Sequence, residues 1–183
     1  MSNLEPPHSL QLVIDFVNTL DIETGAEELD TPDALARWLS ERRLLDGTAD
    51  ESDLAKAIEL REALRAVLAA HNGGEPEPRA AAVLERTAEQ GQLGIRFAAD
   101  GSAALRTRTA GVPGALARLL AFVARSSTDG TWARVKACGA DDCRWAFYDH
   151  SRNRSGRWCD MAVCGNREKV RTYRSRRAGE GAD

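Results

Sequence analysis

Long apolar runs are missing from this chain. The longest, residues 119–124, is closed by Arg118 and Arg125 and is far too short to cross a bilayer. The opening MSNLEPPHSL has no basic segment followed by an apolar one, so no secretory leader is expected and the chain reads as cytoplasmic. No internal repeat of solenoid length is present. His8, His71, Asp15 and Asn18 offer polar groups, yet no nucleophile stands at a useful spacing from a base, so an enzyme is not expected. Cysteine is absent from the first 137 residues.

What is present suits a soluble domain with a small module attached: 183 residues, 43% hydrophobic and 29% charged. The net charge of −3 hides an asymmetry. Residues 131–183 carry 12 Lys and Arg against 7 Asp and Glu, whereas residues 1–130 carry 13 against 21. Two parts of opposite sign meeting near Gly130 imply a division of labour, a domain over 1–130 and a module over 131–183. Chance patchiness is the competing reading, and the placement of all four cysteines on the basic side weighs against it.

The first part reads as mainly helical. Ser9 to Ile22 is apolar around Asp15 and Asn18, a pattern shared by a buried strand and the first turns of a helix, with helix preferred. Thr31-Pro32 is a capped helix start. A longer helix is expected from about Asp53 to His71, with Leu54, Ile58, Leu64, Val67 and Leu68 inward, ended by Asn72-Gly73-Gly74. Another follows over Arg79 to Gln90. Asp100-Gly101 between short apolar stretches signals a β-hairpin, and Pro113 opens a helix to about Arg125.

The cysteines stand as Cys138-x4-Cys143 and Cys159-x4-Cys164, fifteen residues apart. Two close pairs at this separation are what a closed, all-thiolate structural zinc site needs, with Gly139 and Gly165 beside a ligand in each pair. Disulfides would require an oxidising compartment, and redox dithiols usually sit two residues apart near a βαβ pattern. Four thiolates leave no position for a reactive water, so the expected Zn2+ is structural. Between the pairs, Trp145 to Tyr148 alternates in strand fashion, and a polar turn carries Arg152, Arg154 and Arg157. Trp145 and Trp158 read as core, with base stacking as the alternative.

From Gly165 onward helical spacing puts Asn166, Val170 and Tyr173 on one face, expected to pack on the zinc hairpin. Arg167, Arg171 and Arg174 form a second stripe, flanked by Lys169 and Arg176. Guanidiniums oriented by a metal suit phosphate contact, and some reach guanine edges. A solvated helix face is the plainer alternative.

Several motifs together resemble the bacterial CGNR zinc-finger proteins: Cys138-x4-Cys143, Phe-x-Asp-x-Ser-Arg-Asn (147–153), Arg-Trp-Cys-x-Met (157–161) and Cys-Gly-Asn-Arg-x-Lys (164–169). Asp-Phe-Val-Asn-Thr-Leu (15–20) resembles the opening of the ABATE domain that precedes this finger in the family. The resemblance implies an α+β, mainly α protein, with a helical N-terminal domain carrying a small β-hairpin and a treble-clef-like finger ending in a basic helix. It implies Cys138, Cys143, Cys159 and Cys164 as ligands of one zinc ion, and a stress-induced transcription regulator whose finger binds DNA. Two departures trim positive charge: Gly156 stands where the family pattern has Arg, and Asp160 where it has Ser.

The expected function is therefore DNA-binding regulation through Arg154, Arg157, Arg167, Lys169, Arg171, Arg174 and Arg176. The N-terminal domain would sense a small-molecule effector, with Asp15 and Asn18 as the candidate ligand contacts, or mediate homodimerisation. The alternative is a zinc-stabilised module whose basic helix docks on an acidic protein, or on the acidic part of its own chain.

Overall fold

The computed structural model describes residues 7–180, without the side chains at 176 and 178–180, so the contact expected of Arg176 lies outside the described residues. The chain is mainly helical with two small antiparallel hairpins. In order come α1 (His8–Val17), α2 (Pro32–Glu41), α3 (Glu51–His71), α4 (Pro78–Gln90), β1 (Gly94–Phe97), β2 (Ala103–Arg106), α5 (Gly111–Thr128), β3 (Val135–Ala137), β4 (Ala146–Tyr148) and α6 (Asn166–Glu180).

Local chemistry accounts for the helix starts. Thr31 accepts the Ala34 N–H, with Pro32 following at the first helical position. Asp50 and Asp53 form a reciprocal capping box, which starts α3 earlier than the apolar pattern suggests. Ser9 to Ile22 resolves as helix to Val17, its apolar residues Leu10, Val13, Ile14, Phe16 and Val17 all buried. They pack with Leu35, Trp38 and Leu39 of α2, Leu60, Leu64 and Leu68 of α3, and Leu116 and Leu119 of α5. The β1–β2 hairpin turns at Asp100-Gly101 as expected, but lies outside this core: Ile95 and Phe97 are exposed.

One hydrophobic core continues across Gly130. Trp132, Val135, Ala137, Ala146 and Tyr148 belong to the same buried cluster as α1, α3 and α5. The β3–β4 hairpin, with Val135 opposite Tyr148 and Ala137 opposite Ala146, lies against α3 and α1. The cysteines instead form a separate small cluster with Ala140, Trp158 packing on it.

Two arginines of α3 are buried. Arg61 pairs with Glu27 at 2.7 Å and Glu62 at 2.8 Å, and donates to Thr19. Arg65 donates to the carbonyls of Val17 (2.7 Å), Leu20 (3.3 Å) and Arg144 (3.2 Å). It thereby satisfies the open C-terminal end of α1 and the backbone beside Cys143 with one guanidinium.

Candidate metal centre and basic surface

Cys138 follows β3, and Cys143 closes a tight turn in which the Cys143 N–H donates to Ala140. This first knuckle returns into β4 through a bond from the Cys138 N–H to the Trp145 carbonyl. Cys159 and Cys164 flank the second knuckle, where Asp160 accepts the N–H groups of Ala162 and Val163 and starts a wide helical turn, Met161–Gly165, that runs directly into α6. The four Sγ atoms all lie within 4.8 Å of one another, with Cys143–Cys159 at 3.6 Å and Cys159–Cys164 at 3.7 Å. A tetrahedral ion bound at about 2.3 Å would hold its sulfurs roughly 3.8 Å apart, so the cluster fits one zinc ion.

The electrostatics agree with a cationic occupant. Burial, with the Cys138 charge adding to it, pushes the Cys143 thiol up to about 12. Burial and its repulsion from Cys138 and Cys143 raise Cys159 as well. At Cys164 burial acts in the same sense but is overridden, chiefly by the Arg167 guanidinium, which donates to Sγ at 3.3 Å and holds the thiol below its ordinary value. Four thiolates cannot accumulate here unaided, and a divalent cation removes that obstacle.

The glycines after Cys138 and Cys164 have a steric purpose. A Cβ at Gly139 would stand 3.2 Å from the Trp158 ring, and one at Gly165 3.1 Å from it. The indole therefore lies close against both knuckles, and at Gly165 a Cβ would also come within 2.5 Å of Met161 Sδ, so glycine is the residue that fits without displacement. Gly139 N–H and Asn72 Nδ2, at the end of α3, both donate to the Arg157 carbonyl.

The turn between the pairs is built around a buried ion pair. Lys136 Nζ lies 2.7 Å from Asp149 Oδ2 and donates to the carbonyls of Arg154 and Gly156. Asp149 also accepts the N–H groups of Ser151 and Gly156. Burial alone would raise the Asp149 carboxyl, but Lys136 and these hydrogen bonds bring it down to about 2. A Cβ at Gly156 would approach Asp149 Oδ1 to 2.7 Å, so a glycine at this position makes room for the carboxylate. Arg152, Arg154 and Arg157 stand exposed on this braced turn.

The basic helix differs from its expected layout. Val170 and Tyr173 do not pack on the finger; they are 48% and 60% exposed. The finger is too small to cover them, and Trp158 already occupies the slot against the knuckles. Arg167 does not project freely either. Its guanidinium clasps Glu23 of the α1–α2 loop through both nitrogens, at 2.6 and 3.0 Å. Arg171 pairs with Glu168 at 2.7 Å. Arg152, Arg154, Arg157, Lys169 and Arg174 have no acidic partner among the described residues.

Asn18 donates to the Ala146 carbonyl at 2.9 Å and accepts the Ala146 N–H at 2.7 Å, extending β4 by a side-chain bridge. Asp15 accepts from Gln11 at 2.7 Å. Both border a cleft of about 460 Å³ between α1 and β4, closed on the finger side by Trp145, Tyr148 and His150. Sequence reasoning missed Arg65, Glu23 and Lys136 as the residues that fix the finger. None carries a local signal, because their partners are far away in sequence.

A helical body joined to a four-cysteine site that continues into a cationic helix defines a zinc-finger protein, and the CGNR zinc finger model matches residues 134–177. The chain belongs to the ABATE family, described as "Putative stress-induced transcription regulator", whose model matches residues 10–130. Comparison with curated proteins finds no match. No helix among the described residues is long and apolar enough to cross a membrane.

Proposed function

We propose that the protein is a transcription regulator whose finger binds DNA through the arginine turn and α6, while the N-terminal domain receives a small-molecule signal. The observation that carries this reading is the set of unpaired cations, Arg152, Arg154, Arg157, Lys169 and Arg174, carried on backbone that the buried Lys136–Asp149 pair and the thiolate cluster hold in place. Long-range attraction of phosphates by such groups is salt-sensitive, because each contact releases counterions. The zinc-loaded protein is expected to bind mixed-sequence DNA with a steep salt dependence. Lys169→Ala and Arg174→Ala should each lower the log–log slope by about 1. Affinity that ignores both salt and these substitutions would count against DNA contact.

The signal would enter at the cleft beside Asp15. Because Asn18 joins α1 to Ala146, a ligand held there would bear directly on β4 and the first knuckle. The lining carries two carboxylates, Asp15 and Glu28, against one guanidinium, Arg42, with the aromatic rings of Trp145, Tyr148 and His150 beside them, a balance that favours an organic cation. Screening amine ligands by thermal shift should give a rise in Tm that Asp15→Asn abolishes. A rise of equal size in the variant would place the ligand elsewhere.

A second reading has one observation in its favour. Val163 and Val170 are about half exposed beside Arg171 and Arg174, with Glu168 paired to Arg171 and Asp142 at the edge, a mixed apolar and basic strip that an acidic protein partner could cover.

A further inference from the structure

On the opposite flank of α6, a groove of about 500 Å³ runs between the second knuckle and the helix, bordered by Arg157, Trp158, Gly165, Lys169, Thr172 and Tyr173. We infer that this groove seats an unstacked base of a single-stranded nucleic acid segment, so that the finger engages DNA where the strands are parted. The inference rests on the DNA-binding reading and specifies the form of nucleic acid.

Three observations point to this occupant. Tyr173 is 60% exposed on a helix whose other large apolar residue, Val170, borders the opposite flank, although its spacing calls for packing. The Arg177 guanidinium lies 5.7 Å from the ring centroid and donates to the hydroxyl at 3.3 Å, which steadies the ring. Across the groove Trp158 is half-buried, held by Gly139 and Gly165, with the Arg157 guanidinium 5.7 Å from its ring centroid. Aromatic side chains on two separate elements, rather than one chance exposed tyrosine, therefore border the same opening. Third, the rim is cationic. Lys169 and Arg157 have no acidic partner among the described residues, and the one carboxylate in the lining, Glu168, is neutralised by Arg171 at 2.7 Å.

A duplex offers such a groove only phosphates and base edges, since its π faces are covered by neighbouring pairs. A single strand offers a free face for Tyr173 and a flexible backbone that brings phosphates to Lys169 and Arg157. Every base has a π face, so the groove confers affinity for an open strand with little sequence preference. Sequence readout would then fall to other contacts.

The test uses fluorescence anisotropy on the full zinc-loaded protein with three labelled probes: a twelve-nucleotide thymidine strand, the same strand with central abasic sites, and a duplex of equal length. Wild type should bind the thymidine strand roughly ten-fold more tightly than the abasic strand, the usual scale of one base–aromatic stack. Tyr173→Leu should remove most of that difference while leaving duplex affinity and the far-UV spectrum unchanged. Tyr173→Phe should keep it. Equal affinity for the intact and abasic strands, or an undiminished preference in Tyr173→Leu, would overturn the inference and leave duplex binding intact. Absence of binding to all three probes at low salt would overturn the DNA-binding reading together with it.

Discussion

Removing zinc with a chelator is expected to free the second knuckle and α6 while leaving the helical body folded. The cluster around the cysteines contains little besides the thiols, Ala140 and Trp158, so the segment from Trp158 onward has almost no apolar burial of its own. Structural zinc in small modules supplies on the order of 10 kcal/mol or more, and nothing else here could replace it. The first knuckle differs, because β3 and β4 belong to the main core, Asn72 bonds the Ala137 carbonyl of β3, Asn18 bonds Ala146 of β4, and Arg65 bonds the Arg144 carbonyl just before it. Amide hydrogen exchange should therefore show protection lost over 158–175 and kept in α3, α5 and β3–β4. Cys159→Ser should reproduce the pattern without a chelator. Protection retained around Cys164 after metal removal would contradict this account, and so would cooperative unfolding of the whole chain.

The second large effect is expected at the buried ion pair. Lys136 is 4% exposed, and Asp149→Ala leaves its ammonium with only the Arg154 and Gly156 carbonyls as partners. Breaking a buried pair by removing one partner typically costs about 3–5 kcal/mol, and a value near the lower end is expected because those carbonyls remain. Urea denaturation of the zinc-loaded protein measures it. Lys136→Met, which removes the charge and keeps the volume, should cost clearly less, even though Asp149 keeps only its N–H donors. The sign of the pH dependence follows from the lowered Asp149 carboxyl. The contribution of the pair is complete above the unfolded carboxyl value of about 3.9 and fades as pH falls toward 2. The difference between wild type and Asp149→Ala should accordingly be flat above about pH 5 and shrink below it.

Helix identity and the cysteine constellation were legible because their causes are local. Thr31-Pro32 caps α2 through its own hydroxyl, and each pair of cysteines is joined by a short knuckle whose spacing already fits the ion. The start of α3 was less so, since the Asp50–Asp53 box lies upstream of the first apolar residue. Arg61 and Arg65 look like solvated members of an amphipathic helix; only Glu27, Val17 and Arg144, brought up by folding, make them interior groups. The arginine stripe of α6 shows the same limit. Its spacing is visible, whereas the clasp of Arg167 by Glu23, 144 residues away, is not. Val170 and Tyr173, which the helical period puts on one face, border grooves on opposite flanks of α6, and a period cannot say whether anything exists to cover either.

The unequal attachment of the two knuckles sets an order of assembly. Arg65 bonds to the Arg144 carbonyl and Asn18 brackets Ala146, so the helical body would present Cys138 and Cys143 without help from an ion. An incoming ion would meet a two-thiol landing place first, and Cys159 and Cys164 would close over it afterwards, carrying α6 into position last. The basic helix would thereby be the final piece installed and the first given up, and the supply of metal would then condition when its charged surface is displayed.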